Sequence, residues 1–233
     1  WPRWTSAAAN RLNANIANAT VLKNQNVGRS WHASVALEKT LERGFVKAGY
    51  SYGEAKNTVD AGSIAFGSWS GNQHTGDPNN PGLAYGANSP GHRIFAAASV
   101  SKEYLKLGKT TFSIFWQGVH GGTVNAGTGL ASPTNGSYTV SGDLNNDGGA
   151  ANDLIYIQRG PGETTFVPFT AAGRTFTAAE QAQAWDAYIA QDKYLSKNRG
   201  RYAVRNAAFL PIVRQADISL IQDLFRSVGG KRH

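Results

Sequence analysis

Residues 31–54, WHASVALEKTLERGFVKAGYSYGE, decide the reading of this chain. Trp31, Ala33, Val35 and Leu37 fall on one parity, with His32, Ser34, Ala36 and Glu38 on the other. After the polar break Glu42-Arg43-Gly44 the pattern returns: Val46, Ala48, Tyr50 and Tyr52 oppose Lys47, Gly49, Ser51 and Gly53. Side chains of an extended chain alternate between two faces, so each run is a strand with one apolar face. A break this short joins antiparallel neighbours.

The same design recurs downstream. Ile94, Ala96, Ala98 and Val100 alternate with Phe95, Ala97, Ser99 and Ser101. A second short break at residues 105–108 (LKLG) leads to Phe112, Ile114 and Trp116 against Thr111, Ser113, Phe115 and Gln117. Near the end, Ala216, Ile218 and Leu220 alternate with Gln215, Asp217 and Ser219, although Ile221 interrupts the pattern. Strands are thus expected at about 31–41, 45–54, 93–103, 110–119 and 213–224. A third short break is expected at residues 227–230.

The remaining sequence is rich in turn formers. Residues 1–30 are Asn-rich without sustained periodicity, residues 55–91 include GNQHTGDPNNPG, and residues 121–211 form one very long excursion. Within it, residues 154–157 (LIYI) read as a short strand. Thr177 with Glu180 forms a capping box before a helical face of Ala178, Ala182, Trp185 and Ile189, with Gly200 as its expected stop.

Connections therefore alternate between short and very long, as in outer-membrane barrels with brief periplasmic turns and extended extracellular loops. A soluble sandwich also has one apolar face per strand, but nothing in it calls for this asymmetry. Orienting the strands by that rule puts Trp31, Tyr50, Tyr52 and Trp116 at the outer rim, and Phe45 and Tyr104 near the inner one. Val35, Ala48, Ala96, Ala98 and Ile114 hold the middle, the arrangement of an aromatic girdle. Lys39 and Lys102 share the apolar parity near the inner ends, where long side chains snorkel at small cost. The expected fold class is all-β: an antiparallel up-and-down transmembrane barrel segment with extracellular loops 1–30, 55–91 and 121–211 and one short loop helix. Five strands cannot close a barrel, for which about eight are needed. Either the chain is part of a larger barrel, the reading we favour, or other chains complete the sheet.

Composition agrees. Charged residues are 16% of 233, Gly numbers 27, and there is neither Cys nor Met. The lack of Cys excludes disulfides and thiolate metal sites. The missing initiator Met leads us to expect a processed chain or a piece of a longer one. Mean hydropathy is −0.37, the value of a soluble protein, which does not exclude a barrel whose lumen and loops are polar. The net charge of +8 concentrates after Lys193, in Lys197, Arg199, Arg201, Arg205, Arg214, Arg226, Lys231 and Arg232. We read this as a solvated basic loop and turn, with no nucleic-acid partner.

Few motifs carry chemistry. Asp143, Asn145 and Asp147 followed by Gly148 match the opening D-x-[DN]-x-[DN]-G of a calcium loop. The twelfth position is Leu154 in place of Glu, with Asp153 one residue earlier. Two readings stay open: calcium held by Asp143, Asn145, Asp147 and Asp153, or an ordinary Asx-rich turn. His120-Gly-Gly lacks a G-x-S-x-G partner, and Gly108-Lys109-Thr110 has Glu103 where a phosphate loop needs its first glycine. His32, His74, His92, His120 and His233 show no metal-ligand spacing, and no paired carboxylates suggest catalysis. No enzyme is expected.

Four stretches carry a resemblance: residues 49–57 (GYSYGEAKN), 77–101 (DPNNPGLAYGANSPGHRIFAAASVS), 142–157 (GDLNNDGGAANDLIYI) and 184–223, which opens AWDAYIAQDKYLSKNRGRYAVRN. In that order the chain, from about Arg11 onward, resembles the C-terminal barrel part of TonB-dependent outer-membrane receptors. The nearest subgroup is the Oar-like one, which carries a carboxypeptidase-regulatory-like domain. The resemblance implies a barrel of about 22 strands with a plugged lumen, location in a Gram-negative outer membrane, and energised uptake of a large or scarce ligand. Implied partners are outer-membrane lipid and lipopolysaccharide, the remainder of the barrel and plug, the TonB complex through parts absent here, and a ligand the sequence does not choose. It transfers no ligand-binding residues. Other readings are an outer-membrane structural or adhesion barrel whose surface loops bind partners, and a soluble calcium-binding β-protein.

Overall fold

The structure is a computed structural model and describes residues 11–104, 108–120, 133–134, 136–209 and 211–224. In chain order the elements are β1 (Arg29–Leu41), β2 (Gly44–Asn57), α1 (Ala65–Ser70), β3 (Ala84–Tyr85), β4 (Gly91–Tyr104), β5 (Gly108–His120), β6 (Pro133–Thr134), β7 (Ser137–Tyr138), β8 (Tyr156–Ile157), β9 (Phe169–Ala171), β10 (Arg174–Phe176), α2 (Ala178–Gln191), a 3-10 turn (Leu195–Lys197), β11 (Arg201–Tyr202) and β12 (Ile212–Gln222). They belong to two compact units. The fold is predominantly antiparallel β with few helices.

One unit comprises residues 30–55, 89–122 and 210–233. Its long strands lie in the order β1-β2-β4-β5-β12, an up-and-down meander with β1 and β12 at open edges. Register places Gly53 opposite Gly91, Arg93 opposite Val119 and Ile212 opposite His120, so both long connections leave from one end of the sheet. The β1–β2 turn lies at the other end, as do the facing ends of β4 and β5. Residues 105–107 and 227–230, where two further short breaks are expected, lie outside the described residues. β1, β2, β4 and β5 exceed their expected limits by up to three residues, because ladder hydrogen bonds continue past the last apolar position, whereas β12 starts one residue early and ends at Gln222, two short of the expected 224. Phe95 packs over Gly49, where a Cβ would meet its ring at 2.5 Å, so a glycine at this point admits the aromatic.

The other unit comprises residues 1–29, 56–88 and 123–209. It is not plain loop: it has a buried core of Tyr138, Leu154, Ile155, Ile157, Ile189, Leu195 and Ala203. Among the described residues of this unit there are two α-helices where one was expected. α1 was not foreseen; it is short, and its N-cap, Ile64, makes no side-chain cap hydrogen bond. α2 begins at the capping box, with Thr177 Oγ1 accepting from the Glu180 amide and the Glu180 carboxylate accepting from the Thr177 amide. It ends at Gln191, short of the expected stop at Gly200. The cause is Asp192, which takes an extended conformation and whose Oδ1 accepts the Tyr194 and Leu195 amides, starting the 3-10 turn. β9 and β10 form an unforeseen hairpin, with Ala172 and Gly173 both at positive φ (50° and 74°), the geometry of a two-residue turn.

Within this core the Tyr138 hydroxyl donates to Asp192 Oδ2 at 2.6 Å, and its ring stacks on Tyr194. Burial first, then the bond to Asp192 and its charge, push the Tyr138 hydroxyl far above the ordinary tyrosine range. The folded form therefore holds a proton that the unfolded chain releases near pH ~10. The contribution is full below that pH and is lost progressively as pH rises beyond it. Tyr138→Phe is expected to flatten this alkaline loss in a denaturation series between about pH 9 and 12. An unchanged slope would assign the loss to other groups.

Candidate functional site

The first candidate surface is the apolar face of the long-strand sheet. Register aligns four strands into rows: Val46, Ala98, Ile114 and Ile218; Ala48, Ala96, Trp116 and Ala216; Gly44, Val100, Phe112 and Leu220. These rows form one continuous hydrocarbon surface and it is uncovered: Val46 is 48% exposed, Ile218 69% and Leu220 70%. Among the described residues of this unit only four glycines (Gly53, Gly91, Gly108 and Gly118) are buried. Along β2 the pattern is inverted relative to a soluble strand: Val46, Ala48 and Tyr50 are exposed while Lys47, Gly49 and Ser51 are half-buried.

The opposite face is polar or small. Its rows include Phe45, Ser99, Ser113 and Ser219, and also Gly49, Phe95, Gln117 and Gln215. Ser99 and Ser113 share a hydrogen bond of 3.0 Å, Gln117 donates to Gln215 at 3.2 Å, and Lys47 pairs with Glu38 at 3.1 Å. Phe45, expected at the inner rim of the apolar face, instead shares this serine row, because its parity is that of Lys47. At the end from which the long connections leave, Trp31 meets Tyr52 edge-on, Tyr52 lies against His92, and the Tyr50 hydroxyl bonds His92 Nδ1 at 2.8 Å. Lys102 lies opposite Thr110, near the turn end. The side chain of Tyr104 lies outside the described residues.

The second candidate is the Asp/Asn loop of the other unit. The sequence places Asp143, Asn145 and Asp147 on alternate positions, and the main chain coils them through positive φ at Asn146 (64°) and Gly148 (91°). Asp143 accepts the Asp147 and Gly148 amides at 3.1 and 2.9 Å, Asn145 Oδ1 accepts the Asp147 amide at 3.0 Å, and Asp147 Oδ1 accepts the Gly149 amide at 2.7 Å. Asp153 returns to the same loop, its Oδ2 accepting the Leu144 amide at 2.7 Å. All four expected residues are thus brought into one local network. Among the described residues no three acidic or imidazole side chains close on a single point as a ready-made metal cage.

Two participants had no sequence signal. Asn152 donates to both Asp147 oxygens at 3.3 Å and to the Ser70 carbonyl at 3.1 Å. His74 Nε2 lies 2.9 Å from Asp147 Oδ2, across 73 positions, a distance in sequence that no local motif could reveal. The Gly76 amide donates to His74 Nδ1 at 3.1 Å, which leaves Nε2 as the nitrogen that donates to Asp147. The main chains also meet: the His74 amide donates to the Asn152 carbonyl and the Leu154 amide to the His74 carbonyl, both at 2.9 Å. Burial alone would raise the Asp147 carboxyl, but the Gly149 amide, Asn145, Asn152 and His74 together bring it below the ordinary value. Burial pushes the Asp153 carboxyl up, against the pull of the Leu144 amide.

Gly108 to Thr110 open β5, not a helix, so their backbone serves the sheet and does not cradle phosphate. The side chain of His120, its two following glycines, and His233 lie outside the described residues. Arg205, read as part of a solvated run, is buried, and Arg199 pairs with Asp186 at 2.7 Å. Among the described residues no helix is long and apolar enough to cross a membrane, which says nothing about strands. Comparison with protein-family models, with curated proteins and with solved structures returned no match.

Proposed function

We propose that the chain is a stretch of outer-membrane β-barrel from a TonB-dependent transporter. In this reading the apolar face meets lipid, the polar face lines a wet or plugged lumen, and residues 58–90 and 121–211 are surface connections available to a ligand. The observation that carries the reading is the uncovered apolar face of the β1-β2-β4-β5-β12 meander. A soluble sheet buries such a face, and contiguous exposed patches beyond a few hundred Å² are rare on monomers in water. The strands run 11 to 14 residues, long enough for a bilayer that needs about 9–11. Sprawling connections at one end and the tight β1–β2 turn at the other also support this, as does the resemblance to Oar-like receptors. The edges of β1 and β12 would each leave unsatisfied backbone groups in lipid at several kcal/mol apiece, so further strands complete the wall.

The reading is tested by refolding the protein from urea into detergent and into liposomes. It expects detergent-dependent solubility, co-flotation with the vesicles, and faster gel migration of the unheated sample. A monodisperse protein in plain buffer, with none of these behaviours, would overturn it.

A further inference from the structure

We propose that the loop of Asp143, Asn145, Asp147 and Asp153 binds a calcium ion, which fastens residues 72–76 to residues 143–154. This goes beyond the transport reading and stands or falls without it, because every residue involved lies in the unit that holds the Tyr138 core.

Turn geometry alone would not distinguish an ion site from an Asx-rich bend. The distinguishing feature is Asp153. It is 0% exposed, one carboxylate oxygen accepts the Leu144 amide inside the loop, and the other, Oδ1, has no hydrogen-bond partner. Next to it Asn152, also buried, leaves its own Oδ1 without a partner. A buried carboxylate oxygen without a donor is a costly arrangement that native structures rarely keep unless something else satisfies it.

The charge balance points the same way. Asp143, Asp147 and Asp153 form no ion pair with Lys or Arg among the described residues, and the one imidazole present, His74, reaches only Asp147, through Nε2. Their amide contacts do not exhaust them, since a carboxylate offers about four lone-pair sites. A divalent cation supplies the missing positive charge. The donor set is all oxygen, because the chain lacks Cys and His74 turns its N–H toward Asp147. That chemistry suits a hard cation. Calcium tolerates irregular sets of about 6–8 oxygens that include amide and main-chain carbonyls, whereas magnesium demands a tight octahedron. Since no three acidic groups already converge, the ion draws on such neutral oxygens as well. The expected affinity is that of extracellular modules, a dissociation constant of about 10⁻⁴–10⁻³ M.

The test is calorimetric titration of calcium chloride into the chelator-treated full chain in detergent, with trypsin digestion run in parallel. Saturable binding of one ion is expected, with magnesium at equal concentration failing to compete and calcium slowing cleavage within residues 137–206 at least fivefold. Asp153→Asn, which keeps the shape but removes the charge, should weaken binding at least tenfold, and Asp143→Asn should do likewise. Asp77→Asn, on an exposed position, should change nothing. Absence of calcium heat at millimolar concentrations from the unaltered chain overturns the proposal whatever the variants do. So does undiminished binding by a folded Asp153→Asn protein.

Discussion

Ala98→Arg is expected to prevent assembly of the long-strand sheet in a bilayer, whereas Ser34→Arg leaves assembly intact. Ala98 sits in the row Val46, Ala98, Ile114 and Ile218, on a strand paired on both sides. It lies midway along β4 (Gly91–Tyr104), roughly 20 Å from either end at about 3.4 Å per residue. An arginine there cannot reach an interface, and on a lipid face at mid-depth it costs about 2–4 kcal/mol. At about 1.4 kcal/mol per factor of ten, the folded-to-unfolded ratio falls by a factor of about 30 to 1,000. Val35→Arg should act in the same direction on β1. Ser34 lies on the opposite parity, the face that would line a wet lumen in the proposed reading. The readout is the fraction of unheated protein that migrates as the compact form after refolding into liposomes. In water both faces would be ordinary surface, and such substitutions would stay within about 0.5 kcal/mol of neutral. Equal tolerance at Ala98 and Ser34 would therefore remove the lipid face.

This prediction uses the part of the molecule that was legible in the sequence. Strand alternation survives because period two is imposed by the backbone itself, so five strands and their apolar faces could be read directly. Their exact ends could not, since Gly53 with Gly91 extends a ladder through residues that carry no apolar signal. Phe45 shows the limit of reading rims by residue type: its register assigns it to the serine face. The connections were far less legible. Their core takes single residues from distant segments, such as Tyr138, Ile157, Ile189 and Ala203, and no period links them. The same holds for the candidate ion loop. Asp143, Asn145 and Asp147 announce themselves by spacing, while His74 and Asn152 join through folding alone. Arg205 was misread for a related reason: charge in a sequence says nothing about which cation has a partner waiting elsewhere in the chain.

That partner is the basis of the second large effect. Asp60→Ala is expected to destabilise the unit that holds the Tyr138 core by about 3–5 kcal/mol, the usual cost of stranding a buried charge. Arg205 is 3% exposed. Its Nη1 donates to Asn72 Oδ1 at 2.7 Å and lies 3.4 Å from Asp60 Oδ2; its Nη2 donates to the Asn57 carbonyl at 3.0 Å and to the Asn57 side-chain oxygen. Burial pushes the guanidinium pKa down and the Asp60 charge pulls it back up. Arginine does not shed its proton in a protein, so loss of Asp60 appears as lost stability and not as neutralisation. Asp60 also accepts the Ala87 amide and the Asn57 and Asn206 side-chain amides, so the substitution frees three further donors. The reverse change, Arg205→Met, should cost markedly less. Asp60 is one-third exposed and keeps those three donors when the cation is gone, and a methionine restores packing where the guanidinium stem lay. Urea denaturation followed by protease resistance of residues 137–206 distinguishes the two. Asp60→Ala must fall well below Arg205→Met. If the two are equal, or if Asp60→Ala costs under about 1 kcal/mol, the pair behaves as a solvent-screened surface bridge and the buried cation is held by its neutral acceptors alone.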